Sequence, residues 1–226
     1  MMIGLENEYS RINSTELFTF LKNKSEHEIT FTGTTQSYCV GIIDIVNSTA
    51  ITAKLTNGKM CEYYSIFLNA MSKIAKAYGA TVIKNLGDSL LYYFPRTIDA
   101  IDKQSFVDAL ECGLAMIESR NVINQIMSEC HLPTFDFRVS ADYGAVSIAS
   151  SPRSPAEDMF GPTVNLCSKI NGTARPNSVV IGGDLHIIVK SFKHYEFGII
   201  GAYMLGLKLD YPVYTVCRTT IPKEWF

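Results

Sequence analysis

The sequence predicts an α/β chain of the α+β kind, built on a ferredoxin-like βαββαβ core with a C-terminal extension. Three consecutive patterns carry that prediction. An unbroken apolar run, SYCVGIIDI (Ser37–Ile45), reads as a buried strand. Lys59–Tyr78 follows with Tyr64, Phe67, Met71, Ile74 and Tyr78 spaced three and four apart, the stripe of an amphipathic helix, and Gly79 stops it. TVIKNLGDSLLYYF (Thr81–Phe94) then places β-branched and aromatic residues on both sides of Leu86-Gly87, the pattern of a hairpin. Strand, helix and hairpin in that order form the first half of the core.

The remaining elements complete it. Ser14 can cap a short helix over Thr15–Lys24 with Leu17, Phe20 and Leu21 on one side, and a polar, Thr-rich link leads to Gln36. Residues 1–36 are expected to be an N-terminal helix and arm, either packing or docking, and residues 37–226 one domain. A long helical region from about Asp99 to Cys130 breaks near Arg120-Asn121 and closes at Pro133. Phe135–Asp142 and Ala145–Ala149 read as a strand pair turned at Gly144, followed by a mobile Ser/Pro loop, Ser150–Pro155. Gly161-Pro162 opens a helix that Asn171-Gly172 ends; Asn165 and Lys169 share one of its faces, and Val164 and Cys167 point to an apolar side. Ser178–Ile181 is a strand, Asp184–Ser191 a short helix, and His194–Ile199 and Pro212–Cys217 the last strands.

Composition narrows the function classes. At 226 residues and 47% hydrophobic content, the chain can bury one substantial core. A formal net charge of −2 argues against broad binding to nucleic acid or an anionic membrane. No apolar run approaches the roughly 18–20 residues of a membrane span, and the N-terminus lacks the order of a signal peptide. The six cysteines show neither metal nor redox spacing, so buried free thiols and a cytoplasmic location are expected. The four histidines show no ligand spacing and are assigned no site.

The chemistry centres on acidic residues at strand ends. Asp44 ends an apolar strand, where an unpaired charge costs several kcal/mol. Lys84 and Asp88 flank the hairpin turn. Taken alone, that hairpin reads first as a surface turn with a solvated ion pair; it is the second carboxylate, Asp44, that brings in a divalent-cation site. Val46-Asn47-Ser48-Thr49 opens a helix, either as ordinary capping or as a turn whose N–H groups face phosphate. These parts suit metal-assisted phosphoryl chemistry. No Walker-type loop and no Ser/His/Asp or Cys/His arrangement is legible.

Four blocks in order, VGIIDIVNST (Val40–Thr49), GATVIKNLGDSLLYYF (Gly79–Phe94), FRVSADYGAVSIA (Phe137–Ala149) and DMFGPTVNLCSKINGTARPNSVVIG (Asp158–Gly182), resemble the catalytic domain of the class III adenylyl/guanylyl cyclases. The resemblance runs from about Ser37 to Val216. It implies a sandwich around the ferredoxin-like core, working as a head-to-tail homodimer with both sites at the interface. It implies that Asp44 and Asp88, with the Ile45 carbonyl, hold two Mg²⁺ or Mn²⁺ ions, and that the backbone of Ile45, Val46, Asn47, Ser48 and Thr49 wraps the triphosphate. By the same resemblance, Asn165 orients the ribose and Lys169 stands where the family usually has an α-phosphate-contacting Arg. Lys84 and Asp158, supplied by the other subunit, match the base-reading positions in a pairing that favours ATP; guanylyl members typically place Glu and Cys there. Leu205 occupies the position of a family triphosphate lysine, with Lys208 nearby. A slow adenylate cyclase is the implied activity. The alternatives are a nucleotide-binding regulatory module of the same fold, or a cyclase for GTP or a pyrimidine triphosphate. The GG(D/E)EF signature of diguanylate cyclases is missing, since the hairpin reads LGDSL.

Overall fold

A computed structural model describes residues 14–22, 30–151, 154–205 and 208–219. In chain order these form α1 (Ser14–Lys22), β1 (Thr30–Ile45), α2 (Ser48–Thr52), α3 (Asn57–Ala77), β2 (Thr81–Leu86) and β3 (Ser89–Phe94). A 3-10 turn (Pro95–Ile98) leads to α4 (Lys103–Glu118), α5 (Arg120–Glu129), β4 (Phe137–Ser151) and β5 (Ser154–Phe160). The chain then forms α6 (Pro162–Asn171), β6 (Val179–Gly182), α7 (Gly183–Val189), β7 (Tyr195–Leu205) and β8 (Lys208–Arg218). One eight-stranded sheet runs β2-β3-β1-β4-β6-β8-β7, with β5 on β4. The mixed α+β architecture is the predicted one.

Alternation along β1 sorts its side chains to two faces. Cys39, Ile43 and Ile45 join the larger core under α3, α4 and α5, where Tyr63 and Phe67 meet Phe135 and Phe137 at ring separations of 5.0 to 5.9 Å. Val40 and Ile42 face the other way, against Leu91, Met159 and Cys167. Asp44 follows on that second face. Burying each large apolar side chain contributes about 1.5–3 kcal/mol, so the register that sends Ile43 and Ile45 inward also fixes where Asp44 must emerge.

Several predicted boundaries change, each for a tertiary reason. β1 begins at Thr30, because the supposed link pairs with the far end of β4, Phe31 against Ala149. Gly144 is no turn: β4 runs through it, opposite Tyr38. A Cβ at Gly144 would come 2.7 Å from Thr163 Oγ1, so the glycine serves the close approach of α6. The Ser/Pro loop is largely strand, since β4 continues to Ser151 and β5 starts at Ser154. The last two strands are longer than predicted and pair from Tyr195↔Arg218 to Leu205↔Lys208. The helix break falls at Ser119, between α4 and α5, and α3 starts at Asn57 behind a Thr56 cap, its Oγ1 accepting from Lys59 N. On α1, Leu17, Phe18 and Leu21 are exposed rather than packed; the Phe20 side chain lies outside the described residues. Cys39, Cys112 and Cys167 are buried as expected, but Cys61 and Cys217 are exposed.

Candidate active site

The first half of the site forms where β1 ends and the β2–β3 hairpin turns. Gly87 takes φ 68° in that turn, a value glycine adopts without a Cβ penalty, and Asp88 follows it. Asp44 and Ser89 are direct partners across β1 and β3. Ser89 Oγ donates to Asp44 Oδ1 at 2.6 Å, and Ser48 Oγ donates to Asp88 Oδ2. The two predicted acids therefore converge from segments 44 residues apart in sequence. Burial raises the Asp44 carboxyl above its usual range; the Ser89 hydrogen bond opposes this, the Asp88 charge adds to it, and Arg138 opposes it. Two like charges in a half-buried corner make a place that attracts a cation.

Arg138 was not singled out from sequence. It sits opposite Asp44 in the β1–β4 register, and its Nη2 is 3.3 Å from Asp44 Oδ2. Its Nε is buried with no partner among the described residues. The only sequence signal was a charged residue opening an otherwise apolar strand, FRVSA. Such a guanidinium beside a carboxylate at a strand end suits phosphate oxygens.

The connecting turn is partly committed already. Val46 N–H donates to Asp136 O at 2.9 Å, so the proposed phosphate wrap cannot use it while that bond stands. Asn47 adopts φ 56°, and its carbonyl accepts from Ala50 and Ile51. The N–H groups of Asn47, Ser48 and Thr49 have no partner among the described residues. Ile45 is 2% exposed and holds its place through Phe137.

The second half lies on β2 and β5. Because β5 folds back along β4, with Ala149 opposite Asp158, it reaches β2. Lys84 Nζ is 2.6 Å from the Asp158 carboxylate, and both side chains are about one-third exposed, at 36% and 34%. Asp158 Oδ1 also accepts from Met159 N at 2.8 Å. Phe160, on the same side of β5 as Asp158, places its ring 5.9 Å from Lys84 Nζ. An ammonium and a carboxylate thus stand side by side. Asn165 and Lys169 are exposed on α6, and their side chains make no hydrogen bond or ion pair among the described residues. No such contact joins them to either pair, or joins the two pairs to each other. The side chains of Leu205 and Lys208 lie outside the described residues.

Two carboxylates fit a cation that takes its other ligands from water and phosphate, as Mg²⁺ does. Among the described residues no group of three or more His, Cys, Asp or Glu side chains forms a self-sufficient metal cage. Also among the described residues, no helix is long and apolar enough to cross a membrane.

An acid pair where β1 ends and the hairpin turns thus accompanies an ion pair between β2 and β5, on a mixed sheet of ferredoxin-like order. The family model for the adenylate and guanylate cyclase catalytic domain matches residues 32–216, and the chain belongs to that family. An adenylate cyclase of Streptomyces coelicolor is 27% identical over 142 residues, covering 63% of this chain and 31% of that relative. This chain therefore aligns with about a third of the relative's length. The adenylyl cyclase CyaB from P. aeruginosa superposes with a TM-score of 0.74 at 21% identity, covering 85% of this chain and 97% of that one. The guanylyl cyclase Cya2 gives 0.75 at 17% identity, with the same coverages. At these identities the two structures establish the fold, which is that of class III cyclase catalytic domains.

Proposed function

We propose that this domain is an adenylate cyclase, converting ATP to 3′,5′-cyclic AMP and pyrophosphate in a homodimer with shared sites. The observation that carries the choice of adenine is the Lys84–Asp158 pair, held at 2.6 Å and one-third exposed. Lys84 offers N–H to a ring nitrogen, and Asp158 accepts from an exocyclic amino group. Guanine presents the opposite order of donor and acceptor along that edge.

Asp44 and Asp88 hold the cations, with the Ile45 carbonyl assisting. Two Mg²⁺ or Mn²⁺ ions bound there would supply a lowered pKa for the ribose 3′-hydroxyl and charge stabilisation for pyrophosphate. Arg138 and the N–H groups of Asn47, Ser48 and Thr49 bind phosphate oxygens. Asn165 orients the ribose, and Lys169 meets the α-phosphate as charge develops. Lys169 is exposed and its side chain has no partner among the described residues, consistent with a group that awaits substrate. A lysine keeps the charge of the family's usual Arg but lacks its planar fork, and slow turnover follows. That same lysine is what favours the second reading, a nucleotide-binding regulatory module.

The test is a product assay of purified protein with ATP, GTP, CTP and UTP, each with Mg²⁺ and with Mn²⁺. Cyclic AMP as main product supports the proposal. Tight ATP binding without product selects the regulatory module, and a different cyclic nucleotide replaces the substrate. Mixing inactive Asp44→Ala and Lys84→Ala chains tests the shared sites. Recovery of roughly a quarter of wild-type activity is expected, because half the dimers are mixed and each holds one complete site. No recovery would mean each chain works alone.

A further inference from the structure

Ser48 and Ser89 come from different elements, yet they do the same thing. Ser89, the first residue of β3, donates from Oγ to Asp44 Oδ1 at 2.6 Å across the strand pair. Ser48, the first residue of α2, donates from Oγ to Asp88 Oδ2 across 40 residues of sequence. The pairing is crossed: Ser48 follows Asp44 on its own segment and reaches Asp88, and Ser89 follows Asp88 and reaches Asp44. The crossing ties the β1–α2 turn to the hairpin. Ser48 is itself held, since Thr52 Oγ1 donates to its carbonyl at 2.9 Å and Tyr64 on α3 donates to Thr52 Oγ1 at 3.4 Å. Ser48 is 6% exposed, so its hydroxyl has little solvent to turn to.

We infer that Ser48 and Ser89 are positioning residues that orient the carboxylates of Asp88 and Asp44 for a divalent cation. The inference rests on the cation site proposed above. Each carboxylate can accept about four hydrogen bonds; a serine uses one of those positions and, on Asp44, Arg138 uses a second, which leaves the others for a cation. A hydroxyl donating to a half-buried carboxylate also opposes the mutual repulsion of Asp44 and Asp88, which otherwise turns the two side chains apart. Groups that hydrogen-bond to metal ligands in this way typically set affinity by about 10–100-fold. Neither serine touches substrate in this role.

The experiment is Mn²⁺ binding to the full chain without nucleotide, read by the loss of the free Mn²⁺ electron paramagnetic resonance signal. Melting temperature is measured alongside. Ser48→Ala and Ser89→Ala are each expected to weaken Mn²⁺ binding by about tenfold, with Ser48→Thr and Ser89→Thr staying near wild type because the hydroxyl remains. Alanine variants that bind as tightly as wild type, or threonine variants that lose as much as alanine, overturn the positioning role and leave the cation site standing. If Asp44→Asn and Asp88→Asn bind Mn²⁺ like wild type, or wild type binds none, the cation site itself falls and the inference with it. Should an alanine variant melt early, the threonine variant and the other serine still decide the matter.

Discussion

The Asp44–Asp88 pair and the Lys84–Asp158 pair lie in the same sheet but are stabilised in opposite ways. Asp44 and Asp88 carry like charges, and each leans on a serine hydroxyl, with Arg138 in contact with Asp44. Lys84 and Asp158 neutralise one another directly at 2.6 Å. The first pair is electrostatically incomplete and gains by taking up positive charge. The second is satisfied alone, and any ligand edge proposed to bind there competes with an ion pair that is already one-third solvated and so worth little, of order 0–1 kcal/mol. One region thus carries an excess of negative charge, and the other is neutral and weakly held; under the proposed function the first collects cations and the second discriminates bases.

That contrast orders the expected effects. Asp44→Ala removes a carboxylate for which nothing else compensates, and cyclic nucleotide formation is expected to fall on the order of 10³-fold, several kcal/mol of lost charge stabilisation. A quantitative product assay against Mn²⁺ concentration checks it; retained activity breaks the contrast. Joint Lys84→Glu and Asp158→Cys substitution alters the discriminating region alone. The ratio of kcat/KM for ATP over GTP is expected to fall on the order of 10²-fold, with Mn²⁺ binding unchanged. A change in metal affinity instead would show that the regions are not separable. Lys169→Arg restores a forked donor at the α-phosphate and is expected to raise kcat by about tenfold, with KM nearly constant; an unchanged or lower rate removes Lys169 from that role.

The smallest effect concerns stability, away from both regions. Asp142 on β4 is 0% exposed and accepts from Tyr211 Oη at 2.7 Å, Tyr143 N at 2.9 Å and Leu185 N at 3.3 Å. Burial nonetheless pushes its carboxyl up to about 6. A folded-state value above the unfolded one favours the neutral acid in the fold. Its stabilising contribution is complete below about pH 4 and is lost as pH rises through about 6. Asp142→Asn is expected to flatten the fall in melting temperature across that window. A thermal melt series from pH 4 to about 8 reads it directly.

The core and the acid pair were legible because their signals are local. An apolar strand ending in Asp44 and a glycine hairpin ending in Asp88 each state their own geometry, and β-pairing of neighbouring elements does the rest. Lys84 and Asp158, 74 residues apart, carried no such local signal. Their link came from resemblance, and the physical cause is β5, which a Ser/Pro-rich composition disguised as a loop. Gly144 misled for a related reason. Glycine marks a turn or a close approach equally well, and only the position of Thr163 on α6 separates the two.

By itself, then, the amino-acid order determined most of the strands and helices (β5 and the unbroken course of β4 excepted), which face of each is apolar, and where carboxylates must surface at strand ends. Those are consequences of periodicity and backbone chemistry within a few residues. Only the tertiary structure decided that Arg138 stands beside Asp44, that Ser48 reaches Asp88 while Ser89 reaches Asp44, and that Lys84 meets Asp158. The reason is that strand order and register are set by the burial of whole faces, so a polar residue's neighbours across the sheet follow from apolar residues far from it in the chain.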